Sequence, residues 1–221
     1  MTRLVQRAGL AGAVALVRRA GLSGALALAF ALTPGLAHAH LVDTRLGDFY
    51  SGALHPLTDF EQVLPWLALA VLAAFQGPRT ARWVVLVFPL ALAAGGALSL
   101  VLPPPPFAPV AGVTLVALTG LAVAAQLRLP LAALLVLAVG LGLLDGYQNG
   151  AAMLATTDRF LFLSGVTVIG YAFVTLALGC AIAFLGGVGG WRPIALRAAG
   201  SWVAAVGIMV LGLHLVSRGV G

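Results

Sequence analysis

Apolar residues in this chain gather into runs of bilayer-crossing length, separated by short stretches of polar residues and helix breakers. An α-helix needs about 20 apolar residues to cross the hydrocarbon core. Runs of that order fall at about 57–76, 82–102, 108–127, 130–154, 160–185 and 193–216. The breaks lie at Gly77-Pro78-Arg79, 103–106 (four prolines), Arg128-Leu129-Pro130, Thr156-Thr157-Asp158-Arg159 and 186–192. Glycine, proline or charge at each of them stops a helix or turns the chain. Connections this short make neighbouring helices antiparallel. The pattern therefore predicts an all-α polytopic membrane protein, a six-helix bundle forming a single membrane domain over 40–221.

The amino-terminal segment has a different grammar. Arg18-Arg19 precedes an apolar stretch over 20–32, then Thr33-Pro34-Gly35, then Ala37-His38-Ala39 with small residues at both positions of an A-x-A cleavage site. This predicts a cleavable signal peptide over 1–39 with His40 as the first mature residue. The long region before Arg18, with its own apolar patch over 10–17, fits the alternative of an uncleaved signal anchor.

Composition narrows the function classes. With 62% hydrophobic and 8% charged residues among 221, and mean hydropathy of +1.10, the chain lacks the charged exterior of a soluble domain. All 12 basic residues are arginine; removal of the leader with Arg3, Arg7, Arg18 and Arg19 leaves eight against six acids. So small an excess argues against nucleic-acid binding. The single cysteine, Cys180, rules out a disulfide framework and a thiolate metal cluster. The glycine-rich stretch at 186–190 lacks the order of a nucleotide-binding loop, and Ser164 and Ser201 have no histidine or acid nearby in sequence. Nothing here predicts an enzyme.

Charge placement suggests orientation. With the mature amino terminus outside, Arg79, Arg82, Arg128, Arg192 and Arg197 lie inside, and Arg45, Arg159 and Arg218 outside, a bias in the positive-inside sense. Both mature termini are then periplasmic in a bacterial inner membrane. Asp43, Asp48, Asp59, Glu61, Asp145 and Asp158 all fall toward the outer side, from which a cation would arrive.

Polar residues within spanning segments are costly and so point to function. One cluster is His55-Pro56-Leu57-Thr58-Asp59-Phe60-Glu61-Gln62, in which continuous helix would put His55, Asp59 and Gln62 on one face. Acids at a helix start also simply favour the positive helix end. Pro65, four residues after Glu61, leaves the Glu61 carbonyl without its helical donor. The second cluster is Asp145-Gly146-Tyr147-Gln148-Asn149-Gly150, deep in the fourth predicted helix. Its amides serve equally as interhelical hydrogen-bond clamps, and its glycines suit close helix packing. The tryptophans near segment ends, Trp66, Trp83, Trp191 and Trp202, read as interfacial anchors.

These clusters, the leader and the six apolar segments resemble the HupE/UreJ family of small membrane proteins associated with nickel or cobalt supply to hydrogenase and urease. The likeness covers nearly the whole mature chain. The family's first helix typically reads His-Pro-x-x-Gly-x-Asp-His; here His55-Pro56 stands, Asp59 takes the glycine place, Glu61 the aspartate place and Gln62 the second histidine place. The family's fourth-helix motif, roughly Phe-His-Gly-x-Ala-His-Gly-x-Glu, appears as 144–152 with Gly146 and Gly150 kept and both histidines and the glutamate gone. The resemblance implies a metal site drawn from His55, Asp59, Glu61, Gln62, Asp145, Gln148 and Asn149. Oxygen donors suit harder ions such as manganese better than imidazole-rich sets do, so nickel specificity does not follow from these residues.

A free amine and imidazole at His40, with Asp43, Asp48 and His214, form a candidate outer capture group, and nitrogen ligands of this kind favour copper. A flexible, accidental histidine at position 40 and an interfacial hydrogen-bonded His214 are the plainer readings. The sequence thus predicts a secondary transporter or permease for a divalent transition-metal ion, with no tightly bound cofactor. The alternative is a non-transporting scaffold or accessory protein for metalloenzyme assembly, partnered by maturation proteins and built on a fold that has lost its ligands.

Overall fold

The computed structural model describes residues 47–219, and all the regular structure among them is helical. The leader, His40 and Asp43 lie outside the described residues. The elements are α1 (Gly47–Leu54), a 3-10 turn (Pro56–Thr58), α2 (Phe60–Phe75), α3 (Pro78–Ser99), α4 (Ala108–Ala124), α5 (Leu131–Ala151), α6 (Arg159–Leu185) and α7 (Trp191–Gly219). Every apolar run expected from the sequence is helical, with ends shifted by a few residues. Local chemistry explains the boundaries. Pro78 opens α3 behind Gly77 at φ +87°, a backbone conformation glycine tolerates. Asp158 caps α6 by accepting from the Leu161 N–H at 3.0 Å. α4 ends in a Schellman motif: Gln126 sits at φ +51°, its N–H bonds the Val123 carbonyl, and the Leu127 N–H bonds the Ala122 carbonyl.

Four helices are by themselves long and apolar enough to cross a bilayer: Pro78–Ser99, Leu131–Ala151, Arg159–Leu185 and Trp191–Val216. The other two expected spans take different forms. α2 is one limb of a pair, Gly47–Thr58 with Phe60–Phe75, bent by 78°, and Ala108–Ala124 is a shorter apolar helix. By length the count is therefore four spans, or five with the bent pair taken as one. The bend sits at Asp59, whose extended backbone (φ −106°, ψ 109°) ends the 3-10 turn and starts α2. Because of this break, the single face expected to carry His55, Asp59 and Gln62 does not form.

The core lies among α2, α3, α5 and α6. Trp66, Leu69, Phe88, Leu92, Leu134, Leu141 and Val174 are fully enclosed there, and the Trp66 ring meets Phe88 and Phe173 edge-on at centroid distances of 5.4 and 5.8 Å. α5 presses its glycine stripe against α3: a Cβ on Gly146 would land on the Leu92 carbonyl, and one on Gly150 on the Ser99 hydroxyl. Small residues are what let membrane helices approach so closely.

Hydrogen bonds between helix ends define two poles. At one, Arg197 Nε donates to the Ala124 carbonyl at 2.8 Å, an Arg192 Nη donates to the Phe184 carbonyl at 2.7 Å, and an Arg128 Nη donates to the Phe75 carbonyl. The carboxyl ends of α2, α4 and α6 are thus each met by an arginine, which also complements the helix dipole. Gln76 ties this pole together, its Nε2 donating to the Leu72 and Leu127 carbonyls at 3.0 and 2.8 Å and its Oε1 accepting from the Leu129 N–H at 3.1 Å. Gln76→Ala strands two of these backbone groups, so unfolding in denaturing detergent should show a loss of about 1–3 kcal/mol; no change would mean that water replaces the amide there. The other pole holds Asp48, Asp59, Glu61, Asp145 and Asp158, and there Asp48 accepts from the Asp158 N–H at 2.7 Å. Among the described residues, these acids lie at the opposite end of the bundle from Arg128, Arg192 and Arg197.

Candidate functional site

The acidic pole is organised from the start of α2 and the end of α5, which run past one another in opposite directions. Asp59, as N-cap, accepts from the Glu61 N–H at 2.9 Å through one oxygen and from Gln62 Nε2 at 3.1 Å through the other. Capping fixes Gln62, which is buried. Its Oε1 accepts from Asn149 Nδ2, and the same Nδ2 donates to the Asp145 carbonyl at 2.7 Å. Asn149 Oδ1 is buried and takes no hydrogen bond among the described residues. The two polar clusters recognised in the sequence therefore meet in one continuous chain, Asp59–Gln62–Asn149, ending on the backbone of Asp145.

Asp145 is only 5% exposed. One of its oxygens accepts from Trp66 Nε1 at 2.6 Å. This corrects the reading of Trp66 as an interfacial anchor: it is completely buried and holds a carboxylate. Its position, four residues after Gln62 and seven after Asp59, already placed it on their helix face. Trp83, Trp191 and Trp202 are exposed, as an anchor requires. A second contact the sequence did not reveal is Tyr147, whose hydroxyl donates to the Leu102 carbonyl at 2.8 Å and ties the end of α5 to the segment that follows α3.

Glu61, Asp145, Gln148 and His214 come together as the polar lining of a partly open cavity of about 290 Å³, which Pro109, Gly112, Val113 and Val116 of α4 also line. Three helices contribute its chemistry: α2 a carboxylate, α5 a carboxylate and an amide, α7 an imidazole. Among the described residues, no three His, Cys, Asp or Glu side chains stand close enough together to hold a metal ion directly. Of the remaining candidates, His55 is exposed, with its ring against Phe162 at 5.9 Å, and Asp48 is engaged with the start of α6. Neither lines the cavity.

Helices of spanning length, charge divided between the two ends and a polar cavity at the acidic pole define a multi-helix integral membrane protein. The chain belongs to the HupE/UreJ family: the family model described as "HupE / UreJ protein" matches residues 27–210. It is 25% identical over 184 residues to Protein HupE of Rhizobium leguminosarum bv. viciae, covering 83% of this chain and 94% of that protein. No solved structure matches it.

Proposed function

We propose that this protein is a secondary permease of the bacterial inner membrane for a divalent transition-metal ion, with its acidic pole and both mature termini on the periplasmic side. Family membership suggests a nickel- or cobalt-related role, and HupE/UreJ is not an enzyme family. The observation that carries the reading is the cavity in which Glu61, Asp145, Gln148 and His214 converge from three helices. Two carboxylates supply charge for a cation, the amide and imidazole add polar groups beside them, and Asp59, Gln62 and Asn149 hold the acidic helix ends in place. The membrane potential, worth about 2.3 kcal/mol per charge per 100 mV, would drive the ion inward.

The ion in this proposal is cargo, with no cofactor tightly bound, and metalloenzyme maturation proteins are the natural recipients. One observation favours the second reading, a scaffold for metalloenzyme assembly: Asp145 is held by Trp66 in a fixed hydrogen bond. Equilibrium binding of nickel, cobalt, copper, zinc and manganese to the purified protein separates the two. The permease predicts saturable binding that Asp145→Ala abolishes, that Glu61→Gln weakens about tenfold and that His55→Ala leaves intact. Absence of binding at micromolar metal would establish the scaffold instead.

A further inference from the structure

The size and lining of the cavity at the acidic pole carry one step more, which rests on the permease reading above. Direct ligation of a transition metal needs donors about 2.0–2.2 Å from the ion. The described His, Cys, Asp and Glu side chains offer no such group of three, and the space at this pole is about 290 Å³. A divalent ion with an octahedral shell of six waters, each with a liquid-like share of about 30 Å³, takes up about 180 Å³. The cavity has room for that complex.

The lining has the matching polarity. Trp66 takes one oxygen of Asp145, and the other accepts no hydrogen bond among the described residues although the side chain is almost entirely buried and lines the cavity. Glu61 adds a carboxylate, Gln148 an amide and His214 an imidazole. The carboxylate and amide oxygens can accept hydrogen bonds from metal-bound water, whose protons the ion makes strong donors. Gly112 leaves room for Gln148: a Cβ there would lie 3.3 Å from its Nε2.

We infer that this cavity receives the divalent metal ion with its water shell intact, and that Glu61, Asp145, Gln148 and His214 contact that shell and not the metal. No metal–protein bond forms at this stage, and the site discriminates weakly among divalent ions whose hydrated forms are alike.

The test uses cobalt in two oxidation states. Cobalt(II) titrated into the purified full-length protein should bind saturably while its visible absorption keeps the weak intensity of the octahedral aquo ion. Cobalt(III) hexaammine, whose ammonia ligands mimic the water shell and do not exchange, should compete with it, and Glu61→Gln should weaken both by about tenfold. A several-fold rise in cobalt(II) absorption on binding, or failure of the hexaammine to compete, would overturn the hydrated-ion inference and leave the permease reading standing. If cobalt(II) does not bind at all, both fall.

Discussion

Asp145→Asn should reduce metal-dependent uptake by about a hundredfold at limiting metal while leaving the protein folded and inserted. The substitution is nearly isosteric, and its amide oxygen can still accept from Trp66 Nε1, which now meets a carboxylate oxygen at 2.6 Å. What disappears is the negative charge facing the cavity shared with Glu61, Gln148 and His214. A charge-assisted contact contributes about 1.5–3 kcal/mol, which is about one to two decades in affinity. Asp145→Leu should behave differently. It leaves the buried Trp66 N–H without an acceptor, at a cost of about 1–3 kcal/mol, so its uptake defect comes with lower stability. Uptake of metal by cells expressing each variant, normalised to the amount in the membrane, distinguishes them. Undiminished uptake by Asp145→Asn would remove this residue from the transport path.

The largest effect on folding is expected at Gly146. It faces α3 so closely that an added Cβ would lie 2.1 Å from the Leu92 carbonyl oxygen, a backbone group that cannot rotate away. Overpacking in a tight core costs about 1–3 kcal/mol, and a clash with backbone belongs at or above the upper end. Gly146→Val should therefore unfold at much lower denaturant in mixed micelles and accumulate poorly in membranes. Gly179, in α6, is the control, because a Cβ there meets nothing within 4 Å. Gly179→Ala should be neutral or slightly stabilising, since alanine is favoured over glycine in a helix by about 1 kcal/mol. Equal losses at both positions would show that glycine flexibility, and not the α3–α5 approach, is what matters.

Gly146 bears on function as well, because it sits directly after Asp145. Packing of α5 on α3 sets the rotation of α5, and that rotation decides which of its side chains face α2 and the cavity. Asp145 and Asn149, four residues apart, both face α2, where Trp66 and Gln62 meet them. Gln148, one residue round, reaches the cavity beside Asp145. A helix face thus does two jobs, with glycines against α3 and polar groups toward α2.

The sequence alone was sufficient for the membrane class, the positions of the apolar helices and the family. These follow from the one-dimensional distribution of apolar residues, breakers and motif spacings, each local in the chain. It also marked two polar clusters, Asp59, Glu61 and Gln62 in one and Asp145, Gln148 and Asn149 in the other, because polar groups in apolar helices are costly, and only the family resemblance joined them into one expected site. Only the tertiary structure decided which of them meet. Spacing put His55 on the face of Asp59 and Gln62, but the break at Asp59 turned the chain by 78° and left His55 against Phe162. Trp66 looked like an interfacial anchor and became the partner of a buried carboxylate 79 residues away. His214 joined Glu61 and Asp145 from the last helix. Hydropathy records how far each residue prefers lipid over water, and it holds no information on rotation about a helix axis or on which neighbour lies alongside. Those are set by close packing of small residues between helices, and they turn scattered polar positions into a site.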